Sequence, residues 1–337
     1  MNTFLSREAI VKTFIKSIIG ALMMSCFIVL SGCGFVTHNQ GTSSAYTVID
    51  ATGRQVTIPH KPVRVLGSSA SIDAMLLGVI PPERLMAATE ADRDPAISYI
   101  ADDVKDKELV IPLAGLSMEA ITKAKPDLIV ASTYAKADEL DMYRNLGIPV
   151  VVIDGPRSIQ QVKDSMTILA AACDEMEAGR KVIAEMDRQL ADIDRVIGEQ
   201  KGKKPVVFLV SQMTRYGGPG SMFHELLTRA GLENAIALAG SVNGQAISPE
   251  MIVKIDPDLF FVSTDRVSDT TGASRYRDAF LANPAIEAMR ASRHICPLND
   301  RYIYSASQNC IYAIKAMANA AYGPLFDMSD EKQIRGY

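Results

Sequence analysis

Two stretches of the chain carry the same pattern of apolar and polar positions. Residues 116–133 read LSMEAITKAKPDLIVAST and residues 247–264 read ISPEMIVKIDPDLFFVST, identical at nine of eighteen aligned positions. Each predicts a short helix followed by a strand. Ser117 and Ser248 stand where an N-cap accepts a hydrogen bond from the first turn, and Pro249 fits the first helical position. Glu119 and Glu250 suit the positive end of the helix dipole. Pro126 and Pro257 stop the helices. The strands DLIVAS and DLFFVS are apolar without alternation, as expected of parallel strands covered on both faces. Ligands in open α/β sheets sit beyond the carboxyl ends of strands. Ser132-Thr133-Tyr134 and Ser263-Thr264-Asp265 are therefore predicted to face one cleft.

The remaining pattern agrees. VRVLG (63–67), LMAAT (85–89), IPVVVID (148–154) and PVVFLVS (205–211) read as strands, separated by the helical stretches SSASIDAMLLG, KADELDMYRNLG and GSMFHELLTRAG. The first and last of these helices are expected to end at Gly78 and Gly231. Strands alternating with helices predict a parallel sheet in each of two α/β lobes. Between them, residues 158–199 contain no proline, and Ile159, Val162, Met166, Leu169, Val182, Met186, Leu190 and Ile193 recur at three- and four-residue spacing. This predicts one long amphipathic helix, about 60 Å from end to end. Its heptad is too irregular for a coiled coil, so a rigid spacer crossing once between lobes is expected. The fold class is thus α/β: two lobes with central parallel sheets joined by one long α-helix. The expected spans are 46–156, 157–200 and 201–337.

The start of the chain is different. Arg7, Lys12 and Lys16 precede the apolar run SIIGALMMSCFIVL, then Ser31, Gly32 and Cys33. A basic segment, an apolar run and small residues read as an export signal over residues 1–32, too short for a membrane span. Leu30-Ser31-Gly32-Cys33 resembles the lipobox of bacterial lipoproteins, which implies lipidation of Cys33 and a lipid anchor on the extracytoplasmic side of the cell membrane. The polar GFVTHNQGTSSA that follows reads as a flexible tether over residues 33–45.

Composition narrows the function classes. The 337 residues are 48% apolar and 22% charged with net charge −4, which gives nucleic-acid binding no electrostatic support. Cys33, Cys173, Cys296 and Cys310 are too few for a disulfide scaffold, and the sequence leaves pairing of Cys296 with Cys310 open. No Walker loop, Gly-x-Ser-x-Gly elbow or clustered metal-ligand spacing is present, so no catalytic residue, resident metal or cofactor is expected. YGGPGS (216–221) reads either as a tight turn or as an anion cradle at a helix start.

Two α/β lobes bridged by one long helix resemble the substrate-binding proteins of ABC importers for iron-siderophores, haem and cobalamin. The resemblance covers about residues 46–325. YTVIDATGRQVTIPHKPVRVLG is similar to the family's opening β-hairpin, MEAITKAKPDLIVAS to its Pro-Asp-Leu strand and GPGSMFHELLTRAGLENA to its second-lobe segment. The resemblance implies a monomer with a shallow cleft, limited closure, and partners in a metal chelate and an ABC permease with its ATPase. It also implies an acidic docking residue on each lobe, Asp138 or Glu139 on the first and Glu225 on the second. The strand-end loops offer Ser68, Ser69, Ser71 and Tyr134 from the first lobe, and Gln212, Arg215, Tyr216, Arg266 and Tyr304 from the second, as ligand contacts. Arginine forks suit carboxylates, and a tyrosinate can ligate haem iron. Because the two-lobe architecture also occurs in chelatases, an exported tetrapyrrole-binding enzyme stands as the alternative.

Overall fold

The computed structural model describes residues 45–112, 116–211, 213, 215–264, 273–289 and 294–337, with the backbone alone for 273–276. The calls on residues 1–44, Cys33 among them, and on Gln212 and Arg266 lie outside the described residues. The chain enters through an antiparallel hairpin, β1 (Tyr46–Ile49) with β2 (Gln55–Ile58). The first lobe then builds β3 (Val65–Gly67), α1 (Ala70–Val79), β4 (Ala88–Thr89), α2 (Ala101–Val104) and β5 (Val110–Ile111). It continues with α3 (Met118–Ala124), β6 (Leu128–Ser132), α4 (Ala137–Arg144) and β7 (Val150–Ile153). Its sheet runs β3-β6-β7, all parallel, with Leu66 opposite Ile129 and Ile129 opposite Val150. A second parallel pair, β4 with β5, adjoins it through Val65 and Leu85.

The single helix expected over residues 157–200 is two helices. Helix α5 (Ile159–Ala172) ends, the chain reverses through Cys173–Glu175, and α6 (Met176–Gly198) runs back alongside it. Lys163 pairs with Asp187, and Gly179 lies against Ala170, which fixes the antiparallel packing. Asp174 takes the left-handed conformation at φ 55°. The carbonyls that α5 leaves at its end are met by side chains from far along the chain. Tyr46 Oη donates to Ala172 O at 2.8 Å, Arg84 Nη2 to Cys173 O at 2.9 Å and Lys61 Nζ to Asp174 O at 3.1 Å. Glu175 anchors both cations, at 2.6 Å from Arg84 and 2.7 Å from Lys61. The 23-residue α6, about 35 Å long, is the long helix that leads into the second lobe.

That lobe contains β8 (Val206–Val210), α7 (Met222–Arg229), β9 (Glu233–Asn234), α8 (Ala235–Leu238), α9 (Pro249–Ile255) and β10 (Leu259–Ser263). After α10 (Ala273–Leu281) and α11 (Pro284–Glu287) come β11 (Ile295–Leu298), α12 (Asp300–Ile303) and α13 (Cys310–Tyr322). The sheet order is β11-β10-β8-β9, again parallel. The repeated segments fold alike. Ser117 and Ser248 cap α3 and α9, and Lys125 and Asp256 end them at φ 46° and 51°. The aspartate of each Pro-Asp pair then pins the start of the neighbouring strand. Asp127 accepts from the amides of Val63 and Arg64 at 2.9 Å, and Asp258 from Val206 at 2.8 Å.

Alternation along these strands divides the core. Leu128 and Val130 of β6, Val151 and Ile153 of β7, Val207 and Leu209 of β8, and Leu259 and Phe261 of β10 enter one cluster that also takes α5, α6 and α13. The opposite faces fill a separate cluster in each lobe. The two lobes thus share a continuous apolar centre around the helix pair, which makes the joint stiff. Helix α1 ends at Val79, one residue past Gly78, where an added Cβ would meet Gln308 Nε2 at 2.7 Å. Residues beyond α13 cross back to the first lobe: Gln333 Nε2 donates to Ala74 O at 2.6 Å and Gly336 N to Gly78 O at 3.0 Å. The span expected to be second lobe therefore carries a tail that lies on the first. Cys173, Cys296 and Cys310 are free thiols. Among the described residues no helix is long and apolar enough to cross a membrane.

Candidate functional site

Because both sheets are parallel, their carboxyl ends deliver loops to the same edge of each lobe. Ser68 follows β3, and its amide is tied to Val130 O at 3.0 Å. Ser69 precedes α1, but its side chain makes no cap bond. After β6, Ser132 Oγ accepts from the Tyr134 amide at 3.2 Å and Thr133 Oγ1 from the Gly155 amide at 3.0 Å. Gly155 lets the Tyr134 ring lie close to the backbone: a Cβ there would lie 2.0 Å from it and displace the ring. Tyr134 is exposed, with Arg157 stacked 5.6 Å from its ring centre and bonded to its hydroxyl at 3.3 Å.

In the second lobe, Ser211 follows β8 and its hydroxyl lies 2.6 Å from that of Tyr304. The Tyr216 ring sits 5.5 Å from that of Tyr304 and its hydroxyl donates to Ile303 O at 3.3 Å. Burial pushes both phenols above their ordinary range. Arg215 holds φ 69°, where a side chain is strained. Its carbonyl accepts from the Gly244 amide at 2.8 Å. Arg215 and Tyr216 border a hollow of about 280 Å³ with Phe208, Ile236 and Gln245. The glycine-rich run ahead of α7 is a packed turn: a Cβ at Gly218 would meet Asn243 N at 2.8 Å, and Ser221 Oγ donates to Gly218 O.

A larger cavity of about 440 Å³ opens between the lobes. Ser71, Asp92 and Tyr99 line it from the first lobe, and Met213, Arg301 and Tyr304 from the second. Of the expected ligand contacts among the described residues, Ser71 and Tyr304 line this cavity. Asp92, Tyr99, Met213 and Arg301 were not anticipated, because they lie on loops or on one-turn helices too short to show periodicity. The Arg301 guanidinium stacks 5.1 Å from the Tyr99 ring and 5.0 Å from that of Tyr302. Glu331 of the tail accepts from both phenols, at 2.8 Å and 2.7 Å. Beneath the cavity wall sits a fully buried carboxyl, Asp73, whose oxygens have no conventional hydrogen-bond partner. Burial, reinforced by the neighbouring charge of Asp92, pushes Asp73 well above the usual carboxylate range. Burial raises Asp92 too, although Thr89 donates to it through its amide and hydroxyl at 2.9 Å and 2.6 Å.

The acids expected to meet a permease differ in their surroundings. Asp138 is exposed, while Glu139 accepts from the Lys136 amide at 3.1 Å at the start of α4. Glu225 is half-buried and accepts from the Ile159 amide at 2.9 Å, capping the start of α5. No group of three or more His, Cys, Asp or Glu residues suited to a metal ion is found among the described residues.

Residues 68–295 match the model of the periplasmic binding protein family. The chain belongs to that family. It is 24% identical over 284 residues to a probable siderophore-binding lipoprotein of Bacillus subtilis (strain 168), covering 80% of this chain and 86% of the relative. Over 217 residues it is 29% identical to a vitamin B12-binding protein of Salmonella choleraesuis (strain SC-B67), covering 63% of this chain and 76% of the other. Among solved structures, a periplasmic heme-binding protein from Roseiflexus sp. RS-1 in apo form superposes with TM-score 0.66 at 20% identity, covering 78% of this chain and 99% of that one. The last likeness concerns the fold. Members of the family bind solutes for transport, and the two-lobe architecture with parallel sheets is theirs.

Proposed function

We propose that this chain is a lipid-anchored extracytoplasmic receptor that captures a metal chelate between its lobes and delivers it to an ABC importer. The carrying observation is the inter-lobe cavity, apolar in the main, with Tyr99 and Tyr304 on opposite walls and one guanidinium, Arg301, at its edge. Small-molecule sites have this build: concave, apolar, with a few convergent polar groups. A ferric siderophore, haem or cobalamin presents a broad apolar body with polar or anionic arms, which suits such walls. The names of the siderophore-binding and vitamin B12-binding relatives support that class. The Leu-Ser-Gly-Cys sequence ending at Cys33 supports the anchor, and acidic residues on each lobe, Asp138 or Glu139 and Glu225, are the proposed docking points on the permease. The spans 46–156 and 201–337 are proposed as the lobes, with α6 as the joint. Titration of the purified protein with haemin, cyanocobalamin, ferric citrate and a ferric hydroxamate, followed by absorbance and calorimetry, tests the reading. Saturable one-to-one binding of one of them is expected, and no binding of any refutes it.

A further inference from the structure

Two hollows meet at one side chain. The inter-lobe cavity and the smaller hollow beside Arg215 are both lined by Met213. Their chemistry differs. The first is walled by Tyr99 and Tyr304 with alanines and serines, its cation Arg301 lying beside the carboxyls of Asp92 and Asp300. The second holds Arg215 and Gln245 in front of Phe208 and Ile247. The backbone of Met213 is fixed: its amide donates to Ser211 Oγ at 2.9 Å and its carbonyl accepts from the Tyr216 amide at 3.1 Å. Ser211 is in turn bonded to Tyr304, and the Tyr216 and Tyr304 rings adjoin, so the turn is tied to both chambers. The side chain itself is 55% exposed. Methionine is unbranched, flexible and polarizable, so it can move aside or close over a ligand at small cost.

We infer that Met213 determines specificity at this site by forming the partition between the two chambers. The ligand spans both, with its apolar body in the inter-lobe cavity and an anionic arm reaching Arg215, and the Met213 side chain sets the width of the passage. The 280 Å³ hollow is by itself smaller than the roughly 300–1,000 Å³ of small-molecule sites, so it suits an arm of a ligand whose body fills the 440 Å³ inter-lobe cavity. The inference rests on the transport reading and concerns the same site.

Calorimetry of the full chain against haemin, cyanocobalamin, ferric citrate and a ferric hydroxamate tests it, using wild type, Met213→Leu, Met213→Ala and Met213→Trp. Leucine, close in volume, keeps the wild-type order of affinities. Alanine opens the passage and shifts the affinity ratio toward the bulkier chelates over ferric citrate by about ten-fold or more, the scale on which pockets discriminate by a few methylenes. Tryptophan closes it and weakens every probe that wild type binds by a similar factor. Melting curves match wild type throughout, because the side chain is more exposed than buried. Wild-type affinities in both the alanine and tryptophan variants overturn the role of Met213 and leave the transport reading intact. Failure of the wild-type protein to bind any probe overturns both.

Discussion

Replacing Gly179 by alanine tests the helix pair at the joint. A Cβ at Gly179 would lie 2.4 Å from the Cβ of Ala170, where ordinary contact begins at 3.4 Å. Ala170 is fully buried and cannot rotate away, so α5 and α6 must part by about 1 Å, against close packing. Alanine improves helix propensity by about 1 kcal/mol. Overpacking a filled core costs about 1–3 kcal/mol, and the rigid partner places this site toward the upper part of that range. A net loss of about 1–2 kcal/mol is expected, lowering the melting temperature by on the order of 2–4 °C per kcal/mol. Urea unfolding followed by circular dichroism measures it, with the slope m unchanged. Gly198→Ala is the control: nothing lies within 4 Å of its added Cβ, so it gains propensity without the clash. Ala170→Gly in the Gly179→Ala background restores the space and should show coupling in a double-mutant cycle. Full stability of Gly179→Ala, with no coupling to position 170, would refute the antiparallel contact.

Three further outcomes are expected. Asp73→Asn should flatten the pH dependence of stability. Asp73 is raised in the folded state, which therefore binds more protons than the unfolded chain, so wild-type stability falls as pH climbs from the unfolded carboxylate pKa through the folded one. Melting temperatures from pH 4 to 8 check this, and an unchanged slope rejects it. Arg215→Gly should weaken capture of an anionic chelate about ten-fold or more by removing a charge-assisted hydrogen bond, while relief of its φ of 69° raises stability by up to about 1 kcal/mol. Calorimetry and thermal melts read the two effects separately, and unchanged affinity removes Arg215 from the site. Cys33→Ser should abolish fatty-acid labelling and free the protein from the membrane or leave it as an uncleaved precursor; persistent labelling contradicts the anchor.

Much of the fold was written in local patterns. Continuous apolar runs made parallel strands because both faces of each are covered, and Ser117, Ser248 and the Pro-Asp pairs acted through neighbours within a few residues or on the adjoining strand start. The Ser-Thr strand ends read as facing one cleft, but Ser132, Thr133, Tyr134, Ser263 and Thr264 do not line the inter-lobe cavity. Of the named contacts among the described residues, Ser71 and Tyr304 do. What the sequence could not show depends on residues far apart in the chain. The turn at Cys173–Glu175 carries no proline or glycine, and the apolar spacing runs on through it. The helix stops there because Tyr46, Lys61 and Arg84, about ninety or more residues earlier, satisfy its last carbonyls. Gly78 read as a helix end and lies one residue from it, but the close approach of Gln308, which leaves no room for a side chain there, was not legible. Glu225 read as a surface acid, yet its partner is an amide 66 residues away. Tyr99, Arg301 and Glu331 come together only once the tail has crossed back between lobes. Periodicity and capping act over a few residues and belong to the sequence; helix reversal, close approach and the shape of a cavity are set by groups brought together only in the folded chain.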